Sequence, residues 1–199
     1  MKKVCINKAE IRKKLSEILS PKRYQHTLGV VKAAKELAGR YGADVESAEI
    51  AALFHDYCKN MNLQEYEDYI SRYGIVFDEI SYGNRELMHG RIARYIAEKE
   101  YGVYDEDILH AVEYHTTGRK QMSLLEKVIA LADYIEEGRD FPGAEEIRRL
   151  AKEDIDRALL FAMEGTLRRL IEKNQPIHID TIEARNSLIR QIKTEVYER

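Results

Sequence analysis

Cysteine is scarce in this chain, with only Cys5 and Cys58. Two thiols cannot build a disulfide scaffold, and they lack the spacing of a metal finger. Proline is scarcer than chance would give: the three prolines each fall where a helix would start or stop, so nothing interrupts a long helical segment. No apolar run approaches the roughly 18 to 20 residues that span a bilayer. The first eight residues are basic but have no long apolar core and no small-residue cleavage site, so they do not read as a secretory signal. A positive excess is also missing. With 32 basic against 35 acidic residues and a formal charge of -3, the chain lacks the broad basic face that nucleic acid requires. The expectation is a cytoplasmic protein with no membrane and no nucleic-acid partner.

What is present describes an ordinary globule. At 199 residues, 44% hydrophobic and 34% charged, the chain is long enough for one well-buried core. Start and stop signals mark helix after helix. Asn7 can cap a first helix to about Leu19. Ser20-Pro21 opens a second that Tyr41-Gly42 ends, and Asp44 caps a third that carries His55 and Asp56 near its end. Further helices are expected from Leu63 to Tyr73, from Leu87 to Tyr101 with His89 in the first turn, and from Asp105 to about Tyr114. After these come one capped by Ser123, a short and a long helix between Ala144 and Asn174, and a last one from about Asp180 to Tyr197. Residues 138–143 read as a loop. β-Branched residues are too scattered for a sheet, and no repeat is visible. The fold expected is all-α, a single domain over 1–199, with a core of about 20–140 and C-terminal helices 144–199 packed on it.

Against that background His55-Asp56 stands out. An apolar run, Ile50-Ala51-Ala52-Leu53-Phe54, ends in two good metal ligands. A lone helical histidine is more often a packed or surface residue. A buried aspartate, however, is costly unless it is paired or metal-bound. Asp133 follows Ile129-Ala130-Leu131-Ala132 and raises the same question. His26, His89, His110 and His115 supply further donors on other helices. Imidazole with carboxylate suits iron, manganese, zinc or a related divalent ion, and such a mixed set leaves room for a metal-activated water, the chemistry of hydrolysis at phosphorus.

The order His26, His55-Asp56, Asp133 resembles the signature of HD-domain phosphohydrolases. Longer stretches narrow the resemblance. Arg23 with His26-Thr27-Leu28-Gly29-Val30, His55-Asp56-Tyr57-Cys58-Lys59 and Tyr114-His115-Thr116-Thr117-Gly118-Arg119 are similar to the YqeK family of bacterial symmetrical dinucleoside-tetraphosphate hydrolases. So are Leu131-Ala132-Asp133-Tyr134-Ile135-Glu136, the stretch Gly138-Arg139-Asp140-Phe141-Pro142-Gly143, and Asp180 to Asn186. The resemblance covers nearly the whole chain. It implies an all-helical HD-domain bundle in which His26, His55, Asp56 and Asp133 hold the principal ion, iron in this family. It implies that His89 and His115 either hold a second ion, with Asp56 as the bridge, or contact phosphate directly. His110 departs from the pattern and is expected at the surface or behind the site.

A polyphosphate needs compact cations. Arg23 lies three residues before His26, and Lys59 lies four after His55, on the metal side if the helix continues. Either is a phosphate ligand or, alternatively, a solvated surface charge. Thr116, Thr117 and Gly118 form a polar turn suited to phosphate. Arg119 and Arg139 flank the family motifs as candidate phosphate or leaving-group partners. Phe141-Pro142 could wall a purine or simply cap the core. The resemblance also brings the stretch from Pro176 to Thr181, with Ile177 and His178, over the nucleotide. Cys58 reads as packing. The reaction expected is symmetrical cleavage of diadenosine tetraphosphate into two ADP, with Asp56 and Lys59 as catalytic residues, one or two iron ions (or manganese or another divalent ion) as cofactor, and a homodimer as a compatible assembly. Another HD-type nucleotide phosphohydrolase and a non-catalytic nucleotide-binding module are the alternatives.

Overall fold

The computed structural model describes residues 6–197; Cys5 and the extreme N-terminal reading lie outside the described residues. Ten helices make up the described chain: α1 (Lys8–Ile18), α2 (Pro21–Tyr41), α3 (Val45–Phe54), α4 (Leu63–Tyr73) and α5 (Arg85–Tyr101). They continue with α6 (Glu106–Glu113), α7 (Leu124–Ile135), α8 (Ala144–Leu150), α9 (Ile155–Glu172) and α10 (Ile179–Tyr197). No strand occurs among the described residues, and none of the helices is long and apolar enough to cross a membrane.

The ends follow local chemistry. Asn7, Ser20, Asp44 and Ser123 each accept a backbone N–H of the first turn through the side chain, as expected for residues that satisfy orphan donors. Ser123 and Glu126 form a reciprocal capping box, and Gly42 ends α2 in the left-handed conformation. One boundary differs from expectation. Asn84, rather than a residue beside Leu87, caps α5, so His89 falls in the second turn, where its own ring nitrogen can reach back to a helix carbonyl.

Helices α2, α3 and α7 pack together at the centre, with α5 and α6 beside them, α8 and α9 against α7, and α10 packed on α9. Small residues line the central contacts: Ala34 and Ala38 on α2, Ala48, Ala51 and Ala52 on α3, Ala130 and Ala132 on α7, all buried. Alanine lets helix axes approach, and the larger Leu37, Leu53, Ile129 and Leu131 fill the gaps. Each fully buried leucine or isoleucine contributes about 1.5–3 kcal/mol. The α5–α6 contact is closer still. A Cβ on Gly90 would stand 2.6 Å from the Glu113 carbonyl oxygen, so only glycine allows α5 to lie flush on the end of α6. That approach brings His89 beside His115.

A candidate metal centre

Helix α3 ends at Phe54, and the chain continues through tight turns rather than helix. The N–H groups of Tyr57, Lys59 and Met61 each bond to the carbonyl three residues back, at 3.0 Å. Three residues per turn stacks position 59 over position 56. The expected continuation of α3 is therefore absent, yet Lys59 still arrives beside Asp56, at 3.7 Å from Oδ1. His55 is fully buried and Asp56 is 2% exposed.

Four imidazoles converge here, and each has its Nδ1 already engaged. His55 Nδ1 donates to the Ala52 carbonyl at 2.7 Å, His115 Nδ1 to Val112 at 2.8 Å, and His89 Nδ1 to Arg85 at 3.1 Å. A carbonyl oxygen can only accept, so these three Nδ1 atoms carry the proton. His26 Nδ1 meets the Glu136 carboxylate at 3.0 Å. All four rings thus turn Nε2 inward, away from the groups that hold Nδ1. Burial depresses the pKa of His55 and, more strongly, of His115, where His89 and His55 add to the effect, so both rings stay neutral.

The Nε2 atoms surround one carboxylate. Asp56 Oδ2 lies 3.6 Å from both His26 Nε2 and His55 Nε2, while Oδ1 lies 3.3 Å from His89 Nε2. His26, His55 and Asp56 form one group of donor atoms mutually within 4.8 Å, and Asp56, His89 and His115 form another. Asp56 is common to both. Burial alone would raise the Asp56 carboxyl, but the facing histidines and Lys59 outweigh it and hold the acid well below the usual range. Arg23 Nη1 adds a 2.7 Å bond to Oδ2.

Two features ask for a cation. His26 Nε2 and His55 Nε2 are buried without a hydrogen-bond partner, although Asp133 Oδ1 approaches His26 Nε2 to 3.0 Å without hydrogen-bond alignment. The Nε2 atoms of His89 and His115 face each other at 2.9 Å beside Asp56 Oδ1, an arrangement in which both rings and the carboxylate can share one cation. Imidazole and carboxylate are the donors that divalent ions take, and this His/Asp group has the make-up of a divalent-metal site.

Asp133 sits at the end of α7, half-buried at 24% exposure, and is clamped by Arg139, which bonds to its carboxylate and donates to its carbonyl at 2.6 Å. Burial would raise the Asp133 carboxyl, but His26 and Arg139 push it far down. One turn on, Glu136 is 5% exposed; its Oε1 meets His26 and its Oε2 accepts the Gly138 N–H at 2.7 Å. A Cβ on Gly29 would lie 2.6 Å from Oε2, so glycine is needed on α2 for this carboxylate to enter. Arg148 staples the same turn through the carbonyls of Ile135, Glu136 and Arg139, at 2.6–2.9 Å. Glu136 was not singled out from the sequence, although its place three residues after Asp133, on the same helix face, was a usable signal. Glu136→Gln should weaken bound metal by about 10- to 100-fold, since a carboxylate behind a ligating histidine fixes its ring and raises its basicity. Titrating metal into stripped protein measures it; unaltered affinity would leave Glu136 a packing residue.

The cluster opens on a cleft of about 1460 Å³. Arg23, His26, Asp56, Lys59, His115, Thr116, Asp133, Arg139 and Phe141 all line it. Lys59 is held between Glu86, at 2.9 Å, and His89, at 3.4 Å; Glu86 too was missed by sequence reading. Other expected substrate residues lie elsewhere. Arg119 is bonded to buried Glu126 at 2.5 Å and stacked over Tyr114, off the cleft wall. Thr117 donates to the Gly118 carbonyl, and His178 pairs with Asp78 at 3.1 Å in a separate small recess. Ile177 is half-buried beside His178 and also off the cleft. For Arg119 and His178 the acid partners, Glu126 and Asp78, are brought in by the fold. His110 is near the surface, 3.7 Å from Glu106 on its own helix. Cys58 is fully buried, and burial pushes its thiol well up, which rules it out as a nucleophile.

Comparison with known proteins gives a consistent picture. The HD domain family model matches residues 23–138. A protein of Halalkalibacterium halodurans is 46% identical over 175 residues, covering 88% of this chain and 93% of its own. One of Bacillus subtilis is 45% identical, covering 92% and 98%. One of Staphylococcus aureus is 38% identical, covering 91% and 94%. All three carry the name bis(5'-nucleosyl)-tetraphosphatase, symmetrical. A crystal structure from Clostridium acetobutylicum, described as an HD superfamily hydrolase involved in NAD metabolism, superimposes with a TM-score of 0.88 at 43% identity, over 93% of this chain and 98% of that one.

Proposed function

The chain belongs to the HD-domain family, in the branch its 38–46% identical relatives represent, and on that footing we propose that it hydrolyses diadenosine tetraphosphate symmetrically to two ADP. The observation that carries the reading is Asp56, whose two oxygens face two separate groups of inward-turned histidine Nε2 atoms at the base of a cation-lined cleft. His26, His55 and Asp56, with Asp133 beside His26, would hold the principal ion, and His89 and His115 a second one shared through Asp56. A divalent ion bound there supplies an activated water and offsets negative charge on the phosphoryl oxygens. The donor set suits iron, the ion that the family resemblance implies, and also accommodates manganese.

The protein's own groups do the rest. Arg23, Lys59 and Arg139 line the cleft nearest the cluster and would receive the anionic polyphosphate, the two guanidinium groups through the N–H donors that Asp56 and Asp133 leave unused and Lys as a point charge. Thr116, with its hydroxyl 3.1 Å from His115 Nε2, would orient a phosphoryl oxygen or the attacking water. Water adds to one of the two inner phosphorus atoms, and the bond from that phosphorus to the central bridging oxygen breaks. The departing ADP keeps the bridging oxygen and the other ADP keeps the water oxygen, so the two products are identical. The whole described chain takes part in this reading, with the C-terminal helices closing the cleft built by the 20–140 core.

Separation of the nucleotides formed from diadenosine tetraphosphate is the direct test. ADP as the sole product, two per substrate consumed, is the expected result. AMP with ATP, or free phosphate, would replace this reading with that of another HD-type phosphohydrolase, and tight binding with no product would make the protein a nucleotide-binding module. Chelation should stop turnover, and restoring iron, manganese or zinc singly should identify the ion, iron restoring most.

A further inference from the structure

The cleft is larger than one nucleotide requires. Sites for single small ligands run to roughly 300–1000 Å³, against about 1460 Å³ here. Beyond the metal cluster, its lining continues along one face of α9. Phe161, Gly165, Arg168, Arg169 and Glu172 all line it, at positions that share a helix face. Tyr134, next to Asp133, bonds through its hydroxyl to Thr166 at 2.9 Å and fixes α9 against the metal-bearing end of α7.

The side chains on that face are uncommitted. Phe161 is 38% exposed, an unusual state for a phenylalanine in a helix that buries its other apolar face. Arg168 and Arg169 form no ion pair or side-chain hydrogen bond among the described residues. By contrast, Arg149 is held by Glu146 and Glu153, and Arg185 by Glu164. A Cβ on Gly165 would meet nothing within 4 Å, so the groove floor there is open. An aromatic ring, an open floor and two guanidinium groups without a carboxylate partner, in the same cleft as the metal cluster, make up the chemistry of nucleoside phosphate recognition.

We propose that this face of α9, together with Phe141, seats the second nucleoside of a dinucleotide: the base on Phe161 over Gly165, and the adjoining phosphate on Arg168 and Arg169. The inference rests on the hydrolase reading above and adds how a two-headed substrate is told from a one-headed one. The metal cluster and Arg23 address the scissile phosphates; α9 addresses the distal nucleoside.

The test compares diadenosine tetraphosphate with adenosine 5'-tetraphosphate, which lacks the second nucleoside, each as substrate or as competitive inhibitor of the metal-loaded enzyme. Stacking of a base on an aromatic side chain is worth about 1–3 kcal/mol, so Phe161→Ala should cut the preference for the two-headed ligand by about tenfold, mainly through KM. The double variant R168A/R169A should do likewise. Gly165→Leu, which raises helix propensity while filling the floor, repeats the test where loss of folding is not at issue. A preference that stays at the wild-type value in all three variants, or two ligands weakened in equal proportion, would overturn the assignment. Wild-type enzyme that cleaves neither ligand would instead bring down the hydrolase reading, and this inference with it.

Discussion

Asp56→Ala is expected to remove turnover and bound metal together, with activity falling at least about a thousandfold, more than loss of a single transition-state hydrogen-bond donor usually costs. No other side chain among the described residues belongs to both groups of potential metal donors. With Asp56 gone, His26 and His55 lose their shared carboxylate on one side, and His89 loses its own on the other. Arg23 also loses its 2.7 Å partner and is freed to the cleft. The helices should survive, because Asp56 lies in the turns after α3 rather than in the apolar interface of α2, α3 and α7. Circular dichroism should therefore be close to wild type. Asp56→Asn keeps the shape and removes the charge, and should lose metal almost as completely. Metal content by elemental analysis, read beside ADP production, decides the matter: a variant that keeps its metal and turns over within tenfold of wild type would end the proposed mechanism.

Lys59→Ala carries the next largest effect, a fall in kcat of about 100- to 1000-fold, the usual cost of deleting one preorganised donor from a developing oxyanion. The ammonium stands 3.7 Å from Asp56 Oδ1 and 3.4 Å from His89 Nε2, and Glu86 holds it at 2.9 Å, so it reaches the site without needing to move far. Its role predicts a kcat effect with metal content unchanged, which separates it from Asp56. Lys59→Arg should recover part of the rate, since charge is kept while the point geometry is not. A rise in KM alone, with kcat preserved, would make Lys59 a binding residue that acts before the chemical step.

The helices were legible because their signals are local. Ser20-Pro21, Asp44 and Ser123 cap where expected since a cap needs only a side-chain oxygen and an N–H two or three residues on. Register was less secure: Asn84 starts α5 before Leu87, and α3 stops at Phe54 where tight turns take over. His26, His55, Asp56 and Asp133 could be named in advance because their order resembles a family signature, and the structure brings the first three within coordinating distance of one another with Asp133 touching His26. Arg119 and His178 carry the right chemistry in the wrong surroundings. Each found an acid partner, Glu126 or Asp78, that spacing along the chain does not single out as the one it meets.

By itself the sequence determined an all-helical protein and the kinds of donor atoms it could offer a divalent ion, because helix capping, apolar periodicity and residue chemistry are properties of neighbours in the chain. Only the tertiary structure decided which charges remain free. Glu136 supports His26 from 110 residues away, and Arg119 is bound to Glu126 while Arg168 and Arg169 are left to the cleft. Whether an ionic group is spent on a neighbour or kept for a ligand depends on what packing sets beside it, and packing joins residues with no local signal in common.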